Sequence, residues 1–228
     1  MTERLPLYVF GASGHGKVVA DAALASHRFA VRGFLDDDAS RHGQVLLGLP
    51  VEGGLDAIQG QQGRVAVALG VGSNRARLAV LERLVAAGHS VVTVVHPSSV
   101  VASGVTLGDG TFVAPLAVVH TDARLGRACI VNTGAVVEHD DVLGNGVHVS
   151  PNAALGGNVT LADQVHVGLG AVVLPGLTVG ARSMVGAGAV VIEDVPEGVT
   201  VVGVPARRLR IPRAKAGRRA RNDEGSSV

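Results

Sequence analysis

His139 and Asp140 stand side by side in Val137-Glu138-His139-Asp140-Asp141-Val142. An imidazole beside a carboxylate is a general base: the acid fixes its tautomer and stabilises its protonated form. Such a pair suits a reaction that takes a proton from a nucleophile near neutral pH. A second group lies near the N-terminus, where the apolar run Leu7-Tyr8-Val9-Phe10 breaks at Gly11-Ala12-Ser13-Gly14-His15-Gly16. A glycine loop between strand and helix offers its N–H groups to phosphate. Its spacing is G-x-x-G-x-G rather than the dinucleotide G-x-G-x-x-G, which argues against an NAD enzyme. Asp36-Asp37-Asp38 closes the next apolar run, and Gly72-Ser73-Asn74 follows a third. The bland reading of the acidic run is a solvated turn, which suits Asp38 better than Asp36. With the loop and Asn74, all at strand C-termini, it points to a nucleotide-like ligand.

The elements that position the histidine follow from a strict period. Val101 and every sixth residue after it, as far as Val191, is Val or Leu. On an α-helix such residues would spiral rather than gather on one face. The period, with Gly or Ala often next and a second small or β-branched column at the fifth place, predicts a parallel β-helix of hexapeptides. Asp141 is the charged exception in that second column. Three hexapeptides make one coil, so residues eighteen apart stack at about 4.8 Å. Gly157 then lies over His139, Asn158 over Asp140, and His120 beneath Glu138. His148 and His166 stack on one face, where an ordinary surface ladder is the plainer reading. No two histidines are five apart, as the zinc-holding β-helix carbonic anhydrases require, so no metal is expected.

The first ninety residues alternate strand and helix: strands near residues 7–10, 31–35, 65–69 and 90–95, helices near 17–25 and 75–87. That order predicts a Rossmann-like α/β domain over residues 1–95, then the β-helix over 96–206, with a hinge at Pro97. A basic, flexible tail is expected over 207–228.

Composition agrees. The 228 residues are 47% hydrophobic but only 2% aromatic, so Val, Ala and Gly carry the burial, as a prism too narrow for rings demands. A net charge of +1 gives no field for nucleic acid, and the tail reads as solvated rather than as an RNA- or membrane-binding arm. The single cysteine, Cys129, falls on the inward column and reads as a core thiol in a reducing compartment. With no signal peptide or membrane span, a cytoplasmic protein is expected.

These residues, in order with Gly33-Phe34-Leu35-Asp36-Asp37, His96-Pro97-Ser98, Asn132-Thr133-Gly134-Ala135 and Gly203-Val204-Pro205-Ala206, resemble the bacterial NeuD/PglD-type sugar acetyltransferases. The resemblance covers almost the whole chain up to Arg208. It implies a left-handed β-helix, a homotrimer, acetyl-CoA bound between neighbouring subunits and a sugar nucleotide held by the N-terminal domain. It implies His139 as general base and Asp140 as its orienting carboxylate. Asn132 and His148 would line the sugar and acetyl sites, with His148, Gly157 and His166 on the acetyl-CoA side and the Gly157 N–H meeting the thioester oxygen. Gly11, Ser13, Gly14 and His15 would face the phosphates, and Asp36 and Asp37 the base or ribose; Asn74 is added to that ligand by its place at a strand C-terminus. The expected reaction is direct N-acetylation of a nucleotide-activated 4-amino-4,6-dideoxy sugar in surface-glycan synthesis. O-acetylation of a free sugar such as sialic acid, and a non-catalytic β-helix scaffold, are the competing readings.

Overall fold

The structure, a computed structural model, describes residues 4–209. It begins with β1 (Leu5–Phe10), α1 (Gly14–Ala25), β2 (Phe29–Leu35), β3 (Val45–Leu46), β4 (Leu49–Gly53), β5 (Ala66–Leu69), α2 (Asn74–Ala86) and β6 (Ser90–Val91). The sheet order is β3-β4-β2-β1-β5-β6, with only the β3–β4 pair antiparallel. The chain leaves β1 to one side for β2 and later returns to its other side for β5. That reversal puts a crevice at the strand C-termini, where open α/β sheets bind ligands. The sequence reading missed the β3–β4 hairpin, whose short strands carry little periodic signal.

The strand expected over 90–95 divides. Val94–Val95 (β7) pairs with Phe112–Val113 and is the first rung of the β-helix. Rungs two residues long then follow at intervals of six, stacked into three parallel sheets. Among the described residues, their inward side chains form one core of Val, Leu, Ala and Cys129 with no aromatic ring, and with Thr111, Asp141 and Ser183 as its polar members. Burying each Val or Leu contributes about 1.5–3 kcal/mol, and the core runs unbroken through the coils. Arg207–Arg208, expected to open the tail, form an antiparallel strand on residues 201–202. Arg210, Arg213, Lys215, Arg218, Arg219 and Arg221 lie outside the described residues.

At every corner from Gly104 to Gly188, every sixth residue has a positive φ. The tight corner turn needs a left-handed residue at its third place. Glycine, Asn or Asp fills most of these corners, and Asp140 is one of them, at φ 60°. The backbone therefore decides where His139 and Asp140 project.

The two domains share apolar contacts in which Phe112, Ala114 and Ile130 of the β-helix pack with residues of β1, α1 and β2. Arg77 pins the seam. It is fully buried, and donates to Ala128 O at 2.8 Å and Gly146 O at 3.0 Å across it, and to Gly72 O at 3.0 Å and Asn74 Oδ1 at 3.0 Å on its own side. Burial brings the guanidinium down to about 10, still far above neutrality. Carbonyl oxygens satisfy its donors, which a buried charge requires.

Candidate active site

His139 occupies the corner turn between Val136–Val137 and Val142–Leu143, on the side of the prism away from the seam. Its Nδ1 lies 2.8 Å from Asp140 Oδ2, and both side chains are about half exposed. The hydrogen bond to Asp140, helped by the charges of Asp140, Glu138 and Asp141, holds the imidazole above its ordinary value. A Nδ1–H donated to the carboxylate leaves the Nε2 lone pair free to accept a proton. Glu138 Oε1 stands 3.8 Å from His120 Nε2 one coil below. One coil above, the ring crosses Gly157 so closely that a Cβ there would be 2.5 Å from Nε2. The Gly157 N–H has no hydrogen-bond partner among the described residues. Base, orienting acid and an uncommitted donor thus meet at one corner.

The glycine loop forms the second group. Gly11, at φ 114°, packs against Gly70, and a side chain at Gly16 would collide with Gly11 O. Helix α1 starts at Gly14, three residues before the expected start, so His15 lies in its first turn. Phe10, Gly11, Ser13, Asp36, Asp37 and Gly72 line a cleft of about 270 Å³ at the ends of β1, β2 and β5.

The third group lies at the seam. His15 stands 5.6 Å from Phe112, and the rings of His148 and His166 are 4.7 Å apart. His148 Nε2 is 3.1 Å from Asn132 Nδ2, and His166 Nε2 is 2.9 Å from Ser150 Oγ. Burial pushes His15 down to about 4 and His148 down to about 3, and lowers His166. These rings are neutral at pH 7. His15 Nε2 and His148 Nδ1 are buried with no hydrogen-bond partner among the described residues.

Residues 6–84 match the family described as the PglD N-terminal domain. The acetyltransferase domain of PglB from Neisseria gonorrhoeae is 37% identical, with a TM-score of 0.85 over 90% of this chain and 99% of that one. The chain belongs to the NeuD/PglD sugar acetyltransferase family. PerB from Caulobacter crescentus, solved with CoA and GDP-perosamine, is 36% identical over 92% of this chain and 99% of its own, with a TM-score of 0.84. WeeI from Acinetobacter baumannii is 31% identical over 90% and 100%, with a TM-score of 0.83. No curated protein sequence matches. This acetyltransferase is a sugar N-acetyltransferase built on a Rossmann-like domain and a left-handed β-helix.

Several expected ligand residues of this acetyltransferase have partners within the chain. Asp36 accepts from the N–H of Ala12 at 2.7 Å and of Asp38 at 2.9 Å, so it braces the glycine loop. Asp37 is held bidentately by Arg83, whose hydrogen bonds keep its carboxyl below the usual range. Asn74 donates to Gln164 O at 3.1 Å and Val165 O at 3.2 Å, which ties α2 to the β-helix. His148 and His166 point out of the prism as expected, but the N-terminal domain covers that face. Sequence reasoning missed Arg77 and Arg83, since arginines on an amphipathic helix look like solvated surface. Among the described residues, no three His, Cys, Asp or Glu side chains gather as metal ligands, and no helix is long and apolar enough to cross a membrane.

Proposed function

We propose that this protein transfers the acetyl group of acetyl-CoA to the amine of a nucleotide-linked 4-amino-4,6-dideoxy sugar. The observation that carries the reading is the His139–Asp140 pair, with Nε2 facing the Gly157 corner. The amine is largely an ammonium at neutral pH and must lose a proton to attack the thioester. That first proton goes to solvent; as the free amine adds, His139 Nε2 takes the second nitrogen proton, while Asp140 holds the tautomer and stabilises the imidazolium. The Gly157 N–H stabilises the oxyanion that develops as the amine adds. The imidazolium then returns its proton to the departing thiolate. Cys129 is sealed in the core, and burial raises its thiol to about 11, so no acyl-enzyme is formed on it.

The glycine-loop cleft supports a nucleotide-linked acceptor, because a free sugar needs no phosphate cradle. PerB, solved with CoA and GDP-perosamine, binds a ligand of this class. The active unit is a homotrimer with shared sites. Asn132 and His148 lie toward the seam while His139 lies at a corner away from it, so joining them around one substrate takes a neighbouring prism. Leu116, 65% exposed, and Leu169, 59% exposed, offer apolar surface for such packing. The enzyme acts in the cytoplasm, where acetyl-CoA is available and Cys129 stays reduced, in the synthesis of a surface glycan.

The test is acetyl-CoA turnover with 4-amino-4,6-dideoxy sugars on GDP, UDP and dTDP, and with free sialic acid. One nucleotide-linked amine should turn over, and His139→Asn should reduce kcat by about 10²–10⁴. Turnover of sialic acid alone, or an active His139→Asn, would overturn the reading.

A further inference from the structure

Asp141 is fully buried on the inward column, where Thr111 and Ser183 are the other buried polar side chains among the described residues and Asp141 is the charged one. It lies directly after the His139–Asp140 turn. The rung there is incomplete. The rungs below and above on this face each pair two residues, Val118 with Val136 and Val119 with Val137, then Ala154 with Val172 and Leu155 with Val173. Between them, the rung that carries His139 pairs only Val136 with Ala154. One coil below, the N–H of His120 donates to Val137 O at 2.9 Å, and one coil above that of Gly156 donates to Val173 O at 2.9 Å. The equivalent N–H of Glu138 instead donates to Asp141 Oδ2 at 3.0 Å. The other oxygen, Oδ1, accepts from Val159 N at 2.7 Å in the next coil.

We propose that Asp141 is a positioning residue: its buried carboxylate splices the opened rung between residues 138–141 and 156–159, and so sets the His139 imidazole against Gly157. This inference rests on the reading of His139 as the base. The gap in the ladder is local, because the corners themselves stay joined by the N–H of Asn158 donating to His139 O at 3.0 Å. The open ladder leaves the Glu138 N–H without its rung acceptor, and the turn N–H of Val159 needs an acceptor as well; an unpaired buried donor carries its full desolvation penalty. A carboxylate has enough acceptor sites for both. One side chain therefore anchors the turn that carries the base and the turn that carries Gly157.

Burial raises the Asp141 carboxyl to about 7, against the hydrogen bonds from Val159 and Glu138 that lower it. The charges facing it are Glu138, which raises it further, and His139, which lowers it. Thr111 makes a comparable splice elsewhere, accepting from Cys129 N at 3.1 Å and donating to Gly126 O at 3.1 Å. It has no part in the His139 corner, which makes it the control.

The experiment compares Asp141→Ala, Asp141→Asn, Thr111→Ala and His139→Asn in the full-length enzyme, with kcat, both KM values and thermal midpoint measured for each. Asp141→Ala is expected to lower kcat at least tenfold with both KM values within twofold. Asp141→Asn, which keeps one acceptor, should fall between it and wild type. Thr111→Ala should lose thermal stability but keep its kcat. The inference is overturned if Asp141→Ala keeps wild-type kcat, or if Thr111→Ala loses as much kcat. Should Asp141→Ala fail to fold, Asp141→Asn decides: lower stability with unchanged kcat would leave Asp141 merely structural. An active His139→Asn defeats the underlying reading. An inactive His139→Asn beside a fully active Asp141→Ala defeats this inference alone.

Discussion

The imidazole of His139 lies across Gly157, where an added Cβ would stand 2.5 Å from Nε2 and 2.6 Å from Cε1. Gly157 does not share the positive φ of the corner glycines, so its backbone is open to any residue. The requirement for glycine is therefore one of space. Gly157→Ala is expected to fold normally but to push the ring off its position, lowering kcat at least tenfold. Steady-state kinetics beside a thermal melt would check this, and wild-type kcat in the alanine variant would refute the assignment of the ring's position.

Asp140 controls the pH dependence. It is the first cause of the raised His139 value, and a base works only when neutral. The acid limb of kcat/KM should thus lie above the ordinary imidazole value of 6.5, with activity rising as pH increases through it. Asp140→Asn removes the negative charge, so the limb should move to lower pH as the plateau falls. A limb that stays in place would show that another group titrates there.

Asp36 braces the glycine loop through the Ala12 N–H, whereas Asp37 is occupied by Arg83. Losing that charge-assisted hydrogen bond costs the loop about 1.5–3 kcal/mol, and a cleft that must regain this order on binding loses roughly ten- to a hundredfold in affinity. Asp36→Ala should raise KM for the sugar nucleotide by about that factor and leave KM for acetyl-CoA within twofold. Asp37→Ala should have the smaller effect. Equal rises in both KM values for Asp36→Ala would place the nucleotide elsewhere.

The seam histidines make the fold acid-sensitive. His148, lowered from 6.5 to about 3, and His15, lowered from 6.5 to about 4, are neutral when buried. Above pH 7 they are neutral folded or unfolded and contribute nothing to the pH dependence. As pH falls below 6.5 the unfolded chain binds more protons, so stability is lost until the folded values are reached. The thermal midpoint should fall between pH 7 and pH 4, and less steeply in His148→Asn. The comparison is between variant and wild type, because Asp141, with a raised value, titrates in the opposite sense. Parallel slopes would rule His148 out as a source.

Much of this was legible in the residues because a β-helix is repetitive. A column of Val and Leu at intervals of six, with Gly, Asn or Asp at the corners, fixes which side chains point inward and which stack eighteen apart. The outward placement of His139, its neighbour Asp140 and the stacking of Gly157 above it follow from that register. The glycine loop at a strand-to-helix junction was equally local. Contacts between elements distant in the chain were not. Arg77 reaches carbonyls 51 and 69 residues away, and Arg83 meets Asp37 across 46, pairings that no local periodicity encodes. Asp141 shows the boundary most clearly: its burial could be read from its column, but the unpaired rung that gives its carboxylate two donors exists only once neighbouring coils stack. Sequence period sets direction and spacing along one chain; the tertiary structure decides which buried polar groups must satisfy one another.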